Sequence, residues 1–383
     1  MAPLPQDRLV RKEVSLGLVR EIEPPQNHIG LTIAPITGVA TDEVIFEYAK
    51  GLTDGLAPAR AEDAESELAQ KDDLIFSQGR ASVLDWALKD HYTASDVSRY
   101  REYLKIQEAV AAGDFPLTIG SQTEDWQGKL ARDTAKRRRK LDNRLESLII
   151  TSLETGALAY NDGKIKFAIN WGRPGGQQDQ APSGGTWNLT TSDPIAAINA
   201  MNDTMYDTYG VRMNRAICGR KVMNSILNSD KFAARSGLAL PSGGTGGSAA
   251  SGRIDPNYLI DGWGPSAAAA VVERATGVTF TEYDAVYRTR AIGGTTVTNN
   301  RFMSDKKIIF LPDPQYLDDA ASDLNIGFAA TLSSPHPMGN WQSGFYEWER
   351  ETTDPWGYDV GTGIKAFPVF PLLEYSYVMT VLP

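Results

Sequence analysis

Cysteine is almost absent from this chain of 383 residues: Cys218 stands alone. That excludes an intrachain disulfide and any zinc site built on thiolates. Histidine is nearly as scarce. His28, His91 and His336 lie far apart, with no two-histidine spacing and no H-E-x-x-H motif, so each is read as a surface or turn residue rather than a ligand. No stretch of about 18 uninterrupted apolar residues occurs, which excludes an ordinary membrane-spanning helix. No apolar run follows the basic residues near Met1, so no signal peptide is recognisable. Positive charge is also in deficit. A net charge of -10 argues against a nucleic-acid binder held by overall charge, while leaving room for a local basic patch. A reducing cytoplasm, or release from one by lysis, is the expected setting.

Catalytic motifs are missing as well. The run Gly243-Gly-Thr-Gly-Gly-Ser248 lacks the Lys-Ser/Thr of a phosphate-binding loop and follows Pro241 rather than a strand. No G-x-S-x-G elbow is present. The carboxylates Glu62, Asp63, Glu65, Glu67, Asp72 and Asp73 are explained more cheaply by an acidic exposed loop than by an acid/base pair. A hydrolase using Glu65 or Glu67 is therefore the weakest of the functions considered. No cofactor, metal or catalytic residue is expected.

What is present reads as a folded α+β chain of more than one lobe, with 42% hydrophobic and 22% charged residues. Residues 1 to about 40 mix prolines with scattered charges and show no sustained period, as an extended arm packing on something else would. Glu43–Lys50 and the region of Leu74–Phe76 read as strands flanking a long polar excursion, a projecting hairpin loop. Val83–Leu88 and Ser95–Ala112 read as helical. Lys164–Trp171 alternates as a strand does. Ser192-Asp193-Pro194 opens a helix that stops at Gly210. Arg215–Gly219 is a predicted strand, Val222–Asn228 a helix, and residues 236–252 a Gly/Ser/Ala loop. Ala267–Thr276 follows as a helix, then strands at Val278–Tyr283, Lys307–Pro312, Phe345–Trp348 and Tyr375–Val381.

The segment Trp126–Tyr160 organises the rest. Leu141, Leu145, Leu148 and Ser152 share one helical face. Neither Pro nor Gly interrupts Lys129–Thr155, which predicts a spine of ~27 residues, about 40 Å long at roughly 1.5 Å per residue. Its first half carries Lys136, Arg137, Arg138, Arg139 and Lys140 in succession. This run reads in two ways: a solvated helix face, or a contact with nucleic acid or an acidic neighbour through sequence-neutral charge. On the second reading, neutralising Arg137, Arg138 and Arg139 together impairs assembly or packaging more than folding.

The order of these elements resembles the major capsid proteins of tailed bacteriophages, in particular the lambda-type family (capsid protein E). The residues that carry the likeness are Ile33-Ala-Pro-Ile-Thr-Gly38, Ala57-Pro58-Ala-Arg-Ala-Glu62, the spine from Lys129 to Tyr160, and Trp187-Asn-Leu-Thr-Thr-Ser-Asp193-Pro194. The resemblance implies an arm at 1–40, strands with the extended loop at 41–85, and a peripheral domain with the spine at 86–191. It further implies an axial α/β domain at 192–335, and C-terminal strands at 336–383 returning to the peripheral domain. It also implies a non-enzymatic subunit that self-assembles as hexamers and pentamers into an icosahedral head shell around double-stranded DNA. Scaffolding, portal and decoration proteins are the implied partners, with no membrane contact, and the virion capsid, assembled in the host cytoplasm, is the implied location. An encapsulin-like cellular compartment shell is the alternative on the same fold. Crosslinking occurs in some relatives, but its residues find no match here.

Overall fold

The structure is a computed structural model that describes residues 19–50, 75–93, 95–96, 126–161, 166–189, 191–229, 232, 269–290, 296–313, 327–354 and 356–383. In chain order the helices are α1 (Gly30–Ile33), α2 (Trp126–Thr155), α3 (Pro194–Tyr209) and α4 (Arg220–Leu227), with further helical stretches at 19–21 and 269–276. The strands are β1 (Ile36–Gly38), β2 (Glu43–Lys50), β3 (Ile75–Ser82), β4 (Asp85–Thr93), β5 (Ala157–Asn161), β6 (Lys166–Asn170) and β7 (Met213–Cys218). They continue with β8 (Thr279–Glu282), β9 (Val286–Arg290), β10 (Val297–Arg301), β11 (Lys307–Pro312), β12 (Ala330–Ser333), β13 (Phe345–Thr353), β14 (Trp356–Val369) and β15 (Tyr377–Thr380). The chain packs into two compact units: residues 1–44, 80–146 and 331–369 form one, and residues 45–79, 147–330 and 370–383 the other. The five segments assigned by resemblance are a different division, because the spine helix α2 contributes residues to both units.

The first unit is built on β14, which pairs antiparallel with β13 over nine residues and with β4 over another nine. β12 and then β1 extend this sheet, β1 running parallel to β12. Val83–Leu88, read above as helical, is thus mostly strand. A short apolar run fits either period, and pairing with β14 selects the extended form. One face of the sheet is closed by α2, where Leu141 and Leu145 bury against Phe345, Ile364 and Ala366, with Val19 and Trp86 completing the cluster. The described part of the arm does not reach away: Val19 and Ala34 are fully buried in this unit. Residues 1–18, the loop between β2 and β3, and most of Ser95–Ala112 lie outside the described residues. The two strands flanking that loop do pair with each other.

The second unit holds the mixed sheet β15-β11-β7-β8, in which β7 runs parallel to β8 and antiparallel to β11. Ile195, Ile198, Met201 and Met205 of α3 pack with Val222, Met223 and Ile226 of α4 over Ala216, Cys218, Ile308 and Phe310 of the sheet. Local chemistry sets the ends of α3: the Asp193 carboxylate accepts from Ala196 N at 3.0 Å, Pro194 occupies the first turn, and Gly210 ends the helix at φ 69°. The last strand differs from expectation. β15 does not stay with β13 and β14 but pairs with β11, joining the α/β sheet.

Candidate assembly and phosphate-contact surface

The spine helix runs 30 residues, Trp126–Thr155, and the apolar stripe predicted for it is its buried face: Leu141, Leu145, Leu148 and Ser152 are all buried. Its C-terminus is finished inside the second unit. Arg173 Nη2 donates to Leu153 O at 2.7 Å, Gln178 Nε2 donates to Glu154 O at 2.9 Å, and Gly156 takes φ 69°. Two terminal carbonyls are thereby satisfied without solvent. Burial pulls the Arg173 guanidinium down to about 10.

The basic run on this helix divides by angle. A step of about 100° per residue sends Arg137 and Arg138 inward and leaves Lys136, Arg139 and Lys140 exposed. Arg137, only 2% exposed, donates four hydrogen bonds inside the first unit. Nη1 donates to Asp90 at 2.6 Å, Nε to Thr362 Oγ1 at 3.0 Å, and Nη2 to both Thr134 Oγ1 at 2.7 Å and Glu347 Oε1 at 3.1 Å. Thr134 donates in turn to the same Glu347 oxygen at 3.1 Å. Arg138 Nε donates to both Asp142 oxygens, at 3.0 and 3.2 Å, and its Nη1 donates to Val19 O at 3.0 Å. Its guanidinium lies over the Phe345 ring. Burial raises the Glu347 and Asp142 carboxyls above the ordinary carboxylate range and lowers Arg138. Removing these groups from water is costly, and the arginines opposite offset that cost. Arg137 and Arg138 are therefore internal to the chain, a physical correction to reading all five cations as one outward contact.

The outward face carries Arg132, Lys136, Arg139, Lys140 and Arg144, all exposed and spaced at three and four residues along one side of α2. Over 12 residues this stripe spans about 18 Å at ~1.5 Å per residue. Lys136 meets Asp133 at 3.3 Å, and the Arg144 guanidinium sits 5.5 Å from the centre of the Trp86 ring. Such a stripe offers a row of cations to an extended anion without selecting among sequences. One further carboxylate, unforeseen in the sequence, works at the lower end of the same helix. Glu146 accepts from Ile29 N at 3.0 Å and Gly30 N at 2.8 Å, capping α1 and fixing the arm's described part to the spine. Only the Glu146 spacing relative to Leu145 and Ile149 hinted that it faces inward.

Among the described residues, no group of three or more His, Cys, Asp or Glu side chains is arranged to hold a metal ion. Burial pushes the Cys218 thiol up to about 12, which disarms it as a nucleophile. The histidines are built into the structure: His91 Nδ1 lies 2.6 Å from Asp359, and His336 stacks on Tyr346 with ring centres 4.0 Å apart. Burial lowers His28 below the ordinary imidazole value. Glu65 and Glu67 fall outside the described residues.

A family model described as phage major capsid protein E matches residues 18–329. Two solved structures share the fold along nearly the whole chain. One is a phage-related protein from Bordetella bronchiseptica RB50, 13% identical, with 97% of this chain and 98% of that one covered and a TM-score of 0.50. The other, assigned as the capsid protein of a prophage in Escherichia coli CFT073, is also 13% identical, with 96% and 97% covered and a TM-score of 0.51. At such identities the likeness is one of fold. No curated protein matches the chain in sequence. The mixed α+β architecture is that of tailed-phage capsid proteins, and this chain belongs to the phage major capsid protein E family.

Proposed function

We propose that this capsid protein assembles as hexamers and pentamers into an icosahedral head shell that encloses double-stranded DNA. Assembly takes place in the host cytoplasm, with scaffolding, portal and decoration proteins as partners. The observation that carries the reading is the family match over residues 18–329. In such a shell the contacts between subunits would be heterologous and repeat around each ring without a two-fold patch. Within the shell, Lys136, Arg139 and Lys140 supply the sequence-neutral contact, either to packaged DNA or to an acidic surface of a neighbouring copy. Arg137 and Arg138 hold the helix that presents them. Electron microscopy of the expressed protein, alone and with its scaffold, tests the assembly. Closed shells are expected, and monomers under every condition would overturn it.

A further inference from the structure

Strands β9 and β10 pair with each other and, among the described residues, with no third strand. Two strands alone are marginally stable in water, and all ten residues of this pair except Tyr287 and Asn300 are exposed. The pair is tied down at its base. Tyr287 packs on Phe302, ring centres 4.8 Å apart, and Arg301 pairs with Asp284, whose other oxygen accepts from Arg220 N at 3.0 Å. Opposed residues of a ladder share a face. The register Val286–Arg301, Arg288–Asn299 and Arg290–Val297 therefore gathers three arginines and two valines on one side. Val286 is 45% exposed and Val297 53%. Arg301 is committed to Asp284, whereas Arg288 and Arg290 meet no carboxylate among the described residues.

The same unit carries a surface of opposite charge. On α3, Asp203 and Asp207 lie one turn apart, both exposed, and neither pairs with a cation among the described residues. Like charges at i and i+4 repel. Asp207 also stands in the last turn, which holds no basic residue, at the negative end of the helix dipole. Both placements are relieved by cations from outside. Beside them Tyr206 is 44% exposed, with the Arg212 guanidinium 4.3 Å from its ring centre. The two surfaces match in pitch. Four helical residues rise about 6 Å and two strand residues about 6.8 Å, so two carboxylates and two guanidiniums meet in step. Tyr206 offers the valines an apolar complement, which a row of phosphates does not. Within one chain the surfaces lie apart. α3 ends just before β7 begins at Met213, so Asp207 sits by the start of β7. β8 runs parallel to β7, Tyr283 N donates to Cys218 O at the far end of β7, and β9 follows from there. The six residues of β7 span about 20 Å at roughly 3.3 Å per residue. Complementary surfaces at opposite ends of one unit join copies head to tail, the geometry from which rings grow.

We infer that the face of β9 and β10 bearing Val286, Arg288, Arg290 and Val297 docks on the Asp203, Tyr206 and Asp207 face of α3 in a second copy of this chain. The inference rests on the reading that copies assemble, and it names one contact by which they do. Two full-length single variants test it, Val297→Cys and Thr204→Cys. Both positions are exposed, all four charges stay in place, and the sole native thiol, Cys218, is buried and does not compete. Mixed in equal amounts and mildly oxidised, the two should form a disulfide predominantly with each other rather than with their own kind. Arg288→Glu added to the first chain should slow that bond about tenfold, and Asp203→Arg added to the second should restore it, with melting temperatures unchanged, as for surface substitutions. No mixed bond, a bond only between two Val297→Cys chains, or a rate indifferent to the charge reversal would each overturn the contact. Electron microscopy of the same samples separates this from the proposed function. Shells that form without the mixed bond overturn the contact alone, and the mixed bond without shells upholds the contact and overturns the head shell.

Discussion

Arg137 and Arg139 are two positions apart in one run of cations, and about 200° of helix rotation separates a buried network from solvent. The sequence shows the run but not the rotation's consequence, because the partners of Arg137 lie 47, 210 and 225 residues away at Asp90, Glu347 and Thr362. Arg137→Ala is expected to cost about 3–5 kcal/mol, since it strands Glu347 as a buried, unpaired carboxyl. Arg139→Ala should change stability by less than about 0.5 kcal/mol. Urea melts of the two variants check this, and equal midpoints would contradict the network. Neutralising Arg137, Arg138 and Arg139 together is therefore expected to impair folding itself, through the first two, and not assembly or packaging above folding. A pH dependence belongs at this scale too. His91, with Lys89 beside it, holds the Asp359 carboxyl below the ordinary range. A depressed folded value means the stabilisation is present above about pH 4 and is lost as pH falls through the folded value. The stability gap between wild type and Asp359→Asn should therefore shrink on acidification below about pH 4. A gap constant from neutral to acid pH would refute it.

Strand β14 owes its close packing to glycine. A Cβ at Gly361 would lie 2.2 Å from Trp348 Cε2, and one at Gly363 would lie 2.4 Å from the Tyr346 ring. Trp348 faces Gly361 and Tyr346 faces Gly363 across the ladder, so each ring lies on bare backbone. Gly361→Ala should cost about 1–3 kcal/mol through overpacking, and Trp348→Ala in the same chain should recover part of it. Additive losses in a double-mutant cycle of thermal melts would show that the ring and the glycine do not interact. Helix α3 offers the opposite case, set by local chemistry. Asp193→Ala should cost about 1 kcal/mol by freeing the Ala196 amide, a value that denaturant midpoints can check. The ends of α3, β11 and the spine were readable because capping, Pro, Gly and period act within a few residues. β4 was misread because its extended form depends on β14, which lies more than 260 residues further along the chain.

At the scale of the molecule, the proposed function makes the outward stripe of α2 the place where folding and assembly separate. Replacing Lys136, Arg139 and Lys140 together with glutamine should leave the monomer's melting temperature within about 2 °C, as surface changes do, while reducing DNA content per particle. Absorbance ratios of purified particles measure that content, and an unaltered ratio with normal yield would place the stripe outside the DNA-facing surface. The sequence alone determined the spine with its apolar stripe and the caps of α3. Each depends on residues within one or two turns of each other. Only the tertiary structure decided that Arg137 and Arg138 turn inward, that Glu146 fixes the arm's described part to the spine, that β15 joins β11, and that Trp341 stands exposed. These depend on partners brought together from distant parts of the chain, and no local pattern encodes the angle at which they meet.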